Sequence, residues 1–450
     1  MHHFRQATEG YGLMAAAQAE TAPSSPIEET ALTVQRLLEG VAAAETEVEA
    51  EAEKALLAGA LAAGAEAQAL ARVQAVLDRT WERLNAGHWS TVPLARRRLY
   101  ALASLHKVRL LLVGESTGGS SAQEANHAES RLRDALAAAD QGLLLGAPLQ
   151  AGDADEGALS VAAAALSRAL AHLRCPGLRP VVATAKEKVL SNSAPAVPPL
   201  CSGPTTPVPT LSLPSLQQFS NDHFKPHLPV LLAGAANHWP ARHRWCSLEY
   251  LCRVAGARTV PVELGAHYVD PTWSQRLMTL ESFVEKHVKC ESQISASDNS
   301  QLGYLAQHPL FDQVPELRAD ICIPEYCCLS DKQDESLDPD INAWFGPAGT
   351  ISPLHFDPKH NLLTQVVGAK RVLLYAPEVS AALYPHEEPL LSNTAQVDPE
   401  NPDYTSFPDF QKAQAWECTL QPGDMLYIPP RWWHHVRSLS VSFSVSFWWE

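Results

Sequence analysis

The chain contains nine cysteines but no C-x-x-C pair. The spacing of Cys322, Cys327 and Cys328 matches no common zinc module. No stretch reaches the roughly 18 consecutive apolar residues that a membrane span requires. The first residues, with one short apolar patch at Leu13–Ala17, do not resemble a secretory or transit signal. We therefore expect free thiols in a reducing compartment, the nucleus and also the cytoplasm, and no membrane association.

Basic residues are scarce relative to acidic ones. The 450 residues include 34 Lys and Arg against 50 Asp and Glu, which gives a net charge of −16. This balance disfavours general binding to nucleic-acid phosphates, so we expect no direct nucleic-acid partner. It is compatible with cationic partners such as basic protein tails.

Composition divides the chain into four segments. Residues 1–30, rich in Ala, Glu, Ser and Pro, are predicted to be disordered. From 31 to 190 apolar residues recur every three or four positions, which predicts an α-helical domain. Residues 191–214 are rich in proline and are predicted to form an extended linker. The helical domain is expected either to bind a protein partner or to give structural support.

The last segment, 215–450, has short strand-like runs separated by Gly and Pro turns such as Pro422-Gly423-Asp424. This pattern favours a double-sheet jelly roll of the cupin kind, a double-stranded β-helix. The whole chain is therefore predicted to be α+β, with helices first and the jelly roll second. In the final strand, Val441–Trp449, large apolar residues alternate with serines, and the serine face either lines a ligand pocket or faces solvent.

Candidate metal ligands lie near three-quarters of the chain. His355 and Asp357 are two residues apart, so on a strand both project to one face. With a second histidine, either His434 or His435, they form the two-histidine, one-carboxylate set of non-haem Fe(II) oxygenases. Lys370 would supply a cation for a dicarboxylate co-substrate, although a lysine near a turn is also commonly solvated.

Several motifs resemble the JmjC family of 2-oxoglutarate oxygenases. Within it the chain looks closest to the short branch described as arginyl C3-hydroxylase and putative lysine demethylase. The resemblance covers about 215–450, and the motifs that carry it are Asn342–Gly346, Ser352–Asp357, Asn361, Lys370, Pro422–Pro429, Trp433–Val436, Gly303–His308 and Val441–Trp449.

The resemblance implies a role for each site residue. It assigns His355, Asp357 and His434 to Fe(II), with 2-oxoglutarate and O2 as co-substrates. The co-substrate residues it implies are Lys370 for the distal carboxylate, Tyr304, Ser352 and Asn361 as assisting groups, and Trp344 and Trp448 as walls. The candidate substrate residues are Glu263, whose carboxylate would accept a guanidinium or alternatively point to solvent, and Gln307.

The lead hypothesis is an Fe(II)- and 2-oxoglutarate-dependent protein hydroxylase that acts on arginine side chains. One alternative is demethylation of histone lysine by hydroxylation of an N-methyl group, and another is peptide cleavage of methylated histone tails. A non-catalytic cupin scaffold is the alternative outside enzymology.

Overall fold

The computed structural model describes residues 25–44, 66–86, 91–113, 121–149, 157–174, 190, 205–289, 302–330 and 338–450. The N-terminal part is helical, with α1 (Pro26–Ala44), α2 (Glu66–Leu84), α3 (Leu94–Val113), α4 (Ser121–Leu145) and α5 (Ala158–Arg174). Within these ranges no helix is both long and apolar enough to cross a bilayer.

Helix α1 begins earlier than the sequence suggested. Pro26 occupies its first position, where the missing N–H costs nothing, and the Ser25 hydroxyl accepts the backbone N–H of Glu28 at 3.2 Å. The prediction of disorder over 1–30 is therefore wrong from Pro26 onward, and residues 1–24 lie outside the described part of the chain.

The helical periodicity is confirmed by the core of this part. Residues three or four apart on each helix are fully buried and pack together, since that spacing places them on one face. Examples are Val34 on α1, Leu105 and Val108 on α3, Leu132 and Leu136 on α4, and Leu166 on α5.

The remainder of the chain contains the strands. They are β1 (Thr206–Pro207), β2 (Thr210–Leu211), β3 (Val230–Leu232), β4 (Thr259–Leu264), β5 (Ser274–Thr279), β6 (Gly303–His308), β7 (Asp340–Gly346), β8 (Ile351–Phe356), β9 (His360–Val367), β10 (Lys370–Tyr375), β11 (Trp416–Leu420), β12 (Met425–Ile428), β13 (Trp433–Ser438) and β14 (Ser442–Trp449). Helical segments lie between the strands. The longest of those described is α6 (Leu248–Ala255), and the shorter ones are Leu216–Phe219, Ser220–Phe224, Ala241–Arg244, Leu280–Phe283, Val284–Val288, Leu310–Gln313, Pro315–Arg318, Glu325–Cys328, Pro377–Leu383 and Pro408–Lys412.

The strands form two sheets that face each other, which confirms the predicted jelly roll. The five-stranded sheet has the order β1-β11-β10-β13-β8, and the nine-stranded sheet has the order β2-β3-β12-β9-β14-β7-β6-β4-β5. Side chains from both sheets meet in a shared apolar layer that includes Leu363 of β9, Val372 of β10 and Val436 of β13. Alternation along each strand therefore determines which side chains point between the sheets.

The end of the predicted linker belongs to the sheets. Thr206 pairs with Trp416 of β11, and Thr210 pairs with Leu231 of β3, both in parallel. The prediction of an extended linker over 191–214 is thus wrong for these four strand residues, because their backbone groups complete two sheet edges. Residues 191–204 lie outside the described ranges.

A buried ion pair joins the helices to the jelly roll. Asp140 of α4 accepts two hydrogen bonds from the Arg258 side chain, at 2.7 Å from Nη2 and 3.0 Å from Nε, and one from the Thr259 backbone at 2.7 Å. Gln313 donates to the same carboxylate at 2.9 Å. Asp140 and Arg258 are 0% and 1% exposed, so neither charge has water as an alternative partner.

Replacing Asp140 by Asn should destabilise the protein by about 3–5 kcal/mol, because the substitution keeps the volume but leaves the Arg258 charge buried without its counter-ion. Urea denaturation followed by circular dichroism measures the loss. The matched control is Asp134→Asn, an exposed carboxylate on the same helix, which should change stability by no more than about 0.5 kcal/mol. Equal effects of the two substitutions would contradict this role for Asp140.

Candidate active site

Two paired strands bring the three predicted metal ligands together. His355 lies on β8, Asp357 follows the last residue of that strand, and His434 lies on β13 directly opposite His355. The ligand atoms of the three side chains all lie within 4.8 Å of one another. The separation between His434 Nε2 and Asp357 Oδ2 is 3.7 Å.

Local backbone features hold this geometry. Pro353 lies within β8, and a residue without a backbone N–H is tolerated there because β8 is at the edge of its sheet. In the turn before β13, Arg431 has a φ of +66° and its N–H donates to the Asp357 carbonyl at 2.8 Å. This bond joins the turn to the residue that carries the carboxylate.

Hydrogen bonds orient both imidazoles toward the centre. The Nδ1 atom of His355 lies 2.7 Å from the Pro353 carbonyl, and that of His434 lies 3.0 Å from the Trp432 carbonyl. Carbonyls only accept, so each Nδ1 carries the proton and each Nε2 keeps a lone pair for a metal. Asp357 Oδ2 is buried without a hydrogen-bond partner. The residues present therefore fit a divalent metal.

The electrostatics also suit a metal. Burial and the adjacent His355 lower the pKa of His434 to about 4, against the opposing effect of Asp357. The imidazole is then neutral at physiological pH, which is the form that binds metals. Its contact with Asp357 is accordingly not an ion pair.

His435 projects to the other face of β13, as the period of two requires. It lies apart from His355 and Asp357 and borders a different cavity, and burial lowers its pKa to about 3. Of the two adjacent histidines left open by the sequence, the structure brings His434 to the cluster.

The cluster opens into a pocket of about 350 Å³ between the two sheets. All six predicted co-substrate residues line it together with the three candidate ligands: Tyr304, Trp344, Ser352, Asn361, Lys370 and Trp448. The sequence reasoning missed three apolar lining residues, Leu363, Ile428 and Val436. Each of them sits at a strand position whose side chain points between the sheets. Side chains alternate between the two faces of a strand, so counting in steps of two from a known pocket residue would have identified them.

Lys370 is buried in this pocket, so the solvated alternative is wrong. It is 1% exposed, and its ammonium donates to the Tyr304 hydroxyl at 3.1 Å. Within the described part of the chain no carboxylate lies within ion-pair distance of it. Burial lowers its pKa to about 7. A buried ammonium without a counter-ion is costly, so this residue is suited to a ligand carboxylate.

The serine face of β14 points inward, so the solvent-facing alternative is wrong as well. Ser442, Ser444 and Ser446 are fully buried. Ser446 accepts the indole N–H of Trp344 at 2.9 Å, which fixes one wall of the pocket. The ring of Trp448 lies edge-on to that of Trp344, with centroids 6.4 Å apart, and its indole nitrogen is buried and unpaired.

The two predicted substrate residues lie outside this lining. Glu263 is half-buried on β4, opposite Tyr304 of β6, and accepts the indole N–H of Trp273 at 3.2 Å. Burial raises its pKa. Gln307 is exposed at an irregularity of β6, with a φ of +46°.

The sequence reasoning also missed Tyr268. Its ring lies edge-on to His355, with centroids 6.5 Å apart, and its hydroxyl is 3.2 Å from Thr394 Oγ1. It lies in an irregular connection between β4 and β5, where no periodic pattern predicts which way a side chain points.

Comparison with known proteins identifies the family. The cupin-like domain model matches residues 216–450. Lysine-specific demethylase 8 of Danio rerio is 42% identical over 387 residues, covering 84% of this chain and 87% of that protein. Jumonji C domain-containing protein 5 of Drosophila melanogaster is 41% identical over 378 residues, with 84% and 86% covered. Lysine-specific demethylase JMJ30 of Arabidopsis thaliana is 40% identical over 389 residues, with 84% and 85% covered.

These relatives match most of the chain, and the family match spans every strand of the jelly roll from β3 onward. Dependence on Fe(II) and 2-oxoglutarate is a general property of the family, and it agrees with a histidine–carboxylate cluster beside a buried lysine. The chain belongs to the JmjC family of cupin-like 2-oxoglutarate-dependent dioxygenases.

Proposed function

We propose that the protein removes N-methyl groups from lysine side chains of basic proteins in an Fe(II)- and 2-oxoglutarate-dependent reaction. The observation that carries the chemistry is the cluster of His355, Asp357 and His434 beside the buried ammonium of Lys370, which has no carboxylate partner in the described part of the chain. The names of the relatives favour lysine as the target. Arginine hydroxylation, the lead prediction from the sequence, becomes the second candidate.

In this proposal His355 Nε2, His434 Nε2 and a carboxylate oxygen of Asp357 hold Fe(II). Bound iron, with 2-oxoglutarate and O2, supplies an oxidant that replaces a C–H bond of the substrate by C–OH. The carbonyls of Pro353 and Trp432 keep the two imidazoles in the required tautomer, since each accepts the Nδ1 proton.

Lys370 and Tyr304 bind the distal carboxylate of 2-oxoglutarate. The ammonium supplies the charge, and Tyr304 keeps its hydroxyl proton because burial raises its pKa well above the usual range. The unpaired Asn361 Oδ1 and Trp448 Nε1 offer further polar contacts at the pocket wall. Trp344 and Trp448 restrict water access from their side.

The substrate atom decides the product. An N-methyl group that gains a hydroxyl collapses to formaldehyde and the amine, whereas a hydroxylated methylene of arginine remains an alcohol. Glu263 favours a cationic side chain in either case, because its half-buried carboxylate accepts the indole N–H of Trp273 and lies next to Tyr304. The net charge of −16 supports basic protein tails, histone tails among them, as substrates, and histone substrates would place the reaction in the nucleus.

Tag-free protein incubated with Fe(II), ascorbate, 2-oxoglutarate and a methyl-lysine peptide should produce succinate, formaldehyde and a peptide lacking one methylene unit. Mass spectrometry should show none of these changes with His434→Ala, which removes a ligand. The control is His243→Ala, an exposed histidine outside the pocket, which should keep full turnover.

An unmethylated arginine peptide run in parallel separates the candidates. Gain of one oxygen atom without formaldehyde would identify arginine hydroxylation, and peptide fragments would identify cleavage. If neither peptide changes and no succinate forms above the His434→Ala background, the proposed reaction is wrong.

The affinity for 2-oxoglutarate should fall as the pH rises through about 7, because only protonated Lys370 pairs with a carboxylate. Below this pH the affinity should be constant, and above it the loss should approach tenfold per pH unit. Lys370→Met should weaken binding by about 10- to 100-fold and abolish this pH dependence. Calorimetric titration of 2-oxoglutarate into the metal-loaded protein measures both.

The control for loss of one positive charge is Lys412→Met. It removes an exposed lysine of the segment Pro408–Lys412 and should leave the 2-oxoglutarate affinity and its pH profile unchanged. A pH profile that persists in Lys370→Met would show that another group binds the carboxylate.

Glu263→Gln should raise the KM for a basic peptide by about 10-fold or more while leaving the KM for 2-oxoglutarate unchanged, because the amide still accepts the Trp273 bond but carries no charge. Steady-state kinetics with both peptides measures the split. The matched control is Glu285→Gln, an exposed carboxylate. Unchanged KM values for both peptides would place the cation-binding group elsewhere.

A further inference from the structure

A second cavity lies behind the catalytic strands. It has a volume of about 580 Å³ and shares no lining residue with the pocket at His434. The outer faces of β8 and β13 form one side, and the connection between β10 and β11 forms another. Three histidines line it, His267, His386 and His435, together with Asp398.

One histidine and two carboxylates, side chains of the kinds that bind metals, lie close together at this cavity. The ligand atoms of His435, Asp398 and Glu400 all lie within 4.8 Å of one another. Asp398 and Glu400 come from the β10–β11 connection and His435 from β13, so the group bridges two separate parts of the fold.

Unpaired ring nitrogens distinguish this group from an ordinary acidic surface. His435 is 3% exposed, and its Nδ1 is buried without a hydrogen-bond partner. His267 Nδ1 and His386 Nε2, in the same cavity, are also buried and unpaired. Buried polar atoms are nearly always satisfied, so three unpaired nitrogens around one cavity point to a ligand.

The charges at the group favour a cation. Arg437 pairs with Glu400 through a single carboxylate oxygen, Oε2, which leaves the other oxygen available. Asp398 accepts the backbone N–H of Glu400 at 2.9 Å through Oδ1. No cationic side chain in the described ranges pairs with Asp398. Arg371, the second guanidinium near His435, is balanced by its own ion pair with Glu417, so the two carboxylates and the Arg437 guanidinium leave a net negative charge.

We propose that His435, Asp398 and Glu400 form a second metal site, for a divalent first-row transition ion. One imidazole nitrogen and two carboxylate oxygens are donors that such ions accept, and the open positions face the cavity. Arg437 orients Glu400, as groups behind a ligand commonly do. The bound ion ties the β10–β11 connection to β13, one residue from His434.

The ion count tests this proposal. Tag-free, full-length apo-protein is dialysed against Co²⁺, and bound metal is measured per chain. Wild type should bind about two ions, His434→Ala about one, Asp398→Asn about one, and the double variant none. Asp398 is exposed, so its substitution leaves the core intact.

The spectrum of the bound Co²⁺ excludes binding by thiols. The exposed Cys322 and Cys328 would give intense near-ultraviolet thiolate bands, whereas the proposed site should give only weak visible bands. The matched control, Glu388→Gln, removes an exposed carboxylate from the same connection and should keep both ions.

Two results would overturn the proposal. One is a wild-type stoichiometry of a single ion that His434→Ala abolishes, and the other is a second ion that Asp398→Asn retains. Neither result would contradict the proposed reaction at His434, because the number of ions bound by Asp398→Asn is measured without any peptide turnover.

Discussion

The register between β8 and β13 is the constraint on which the site depends. His434 lies opposite His355, whereas Val436 lies opposite Ser352. The register therefore shifts between His434 and Val436, next to Pro353. A shift of one residue would put His435 in the place of His434. It would also turn all the remaining side chains of β13 to the opposite face. The bond from Arg431 to the Asp357 carbonyl and the pairing of β13 with β10 on its other side both oppose such a shift.

This register also divides the chemistry between two faces of one strand. The inner face presents a neutral imidazole to the pocket that contains Lys370, and the outer face presents His435 to the second cavity. Adjacent residues thereby serve environments that share no lining atoms, and the backbone of β13 is the structure common to both.

Much of the jelly roll and its candidate site could be predicted from local pattern. Alternation in β14 identified two faces, and the two-residue spacing of His355, on β8, and Asp357, directly after it, identified a ligand pair. Local pattern alone could not predict the burial of Lys370, because a lysine beside a turn has the same sequence signature whether it is solvated or enclosed; only the family resemblance implied its role. Contacts between distant segments were also missed, as with Tyr268 near His355, since an irregular connection carries no period.

The Asp140–Arg258 pair bears on whether the jelly roll is a separable unit. Its partners lie 118 residues apart in sequence, and Gln313, which shares the carboxylate, also bonds His308 at the end of the strand that carries Tyr304. A fragment that begins after the helices would retain Arg258 with no counter-ion at a newly opened surface. In such a fragment water would solvate the Arg258 guanidinium, and a foreign domain docked at the same place would restore the buried pair only if it supplied a carboxylate there.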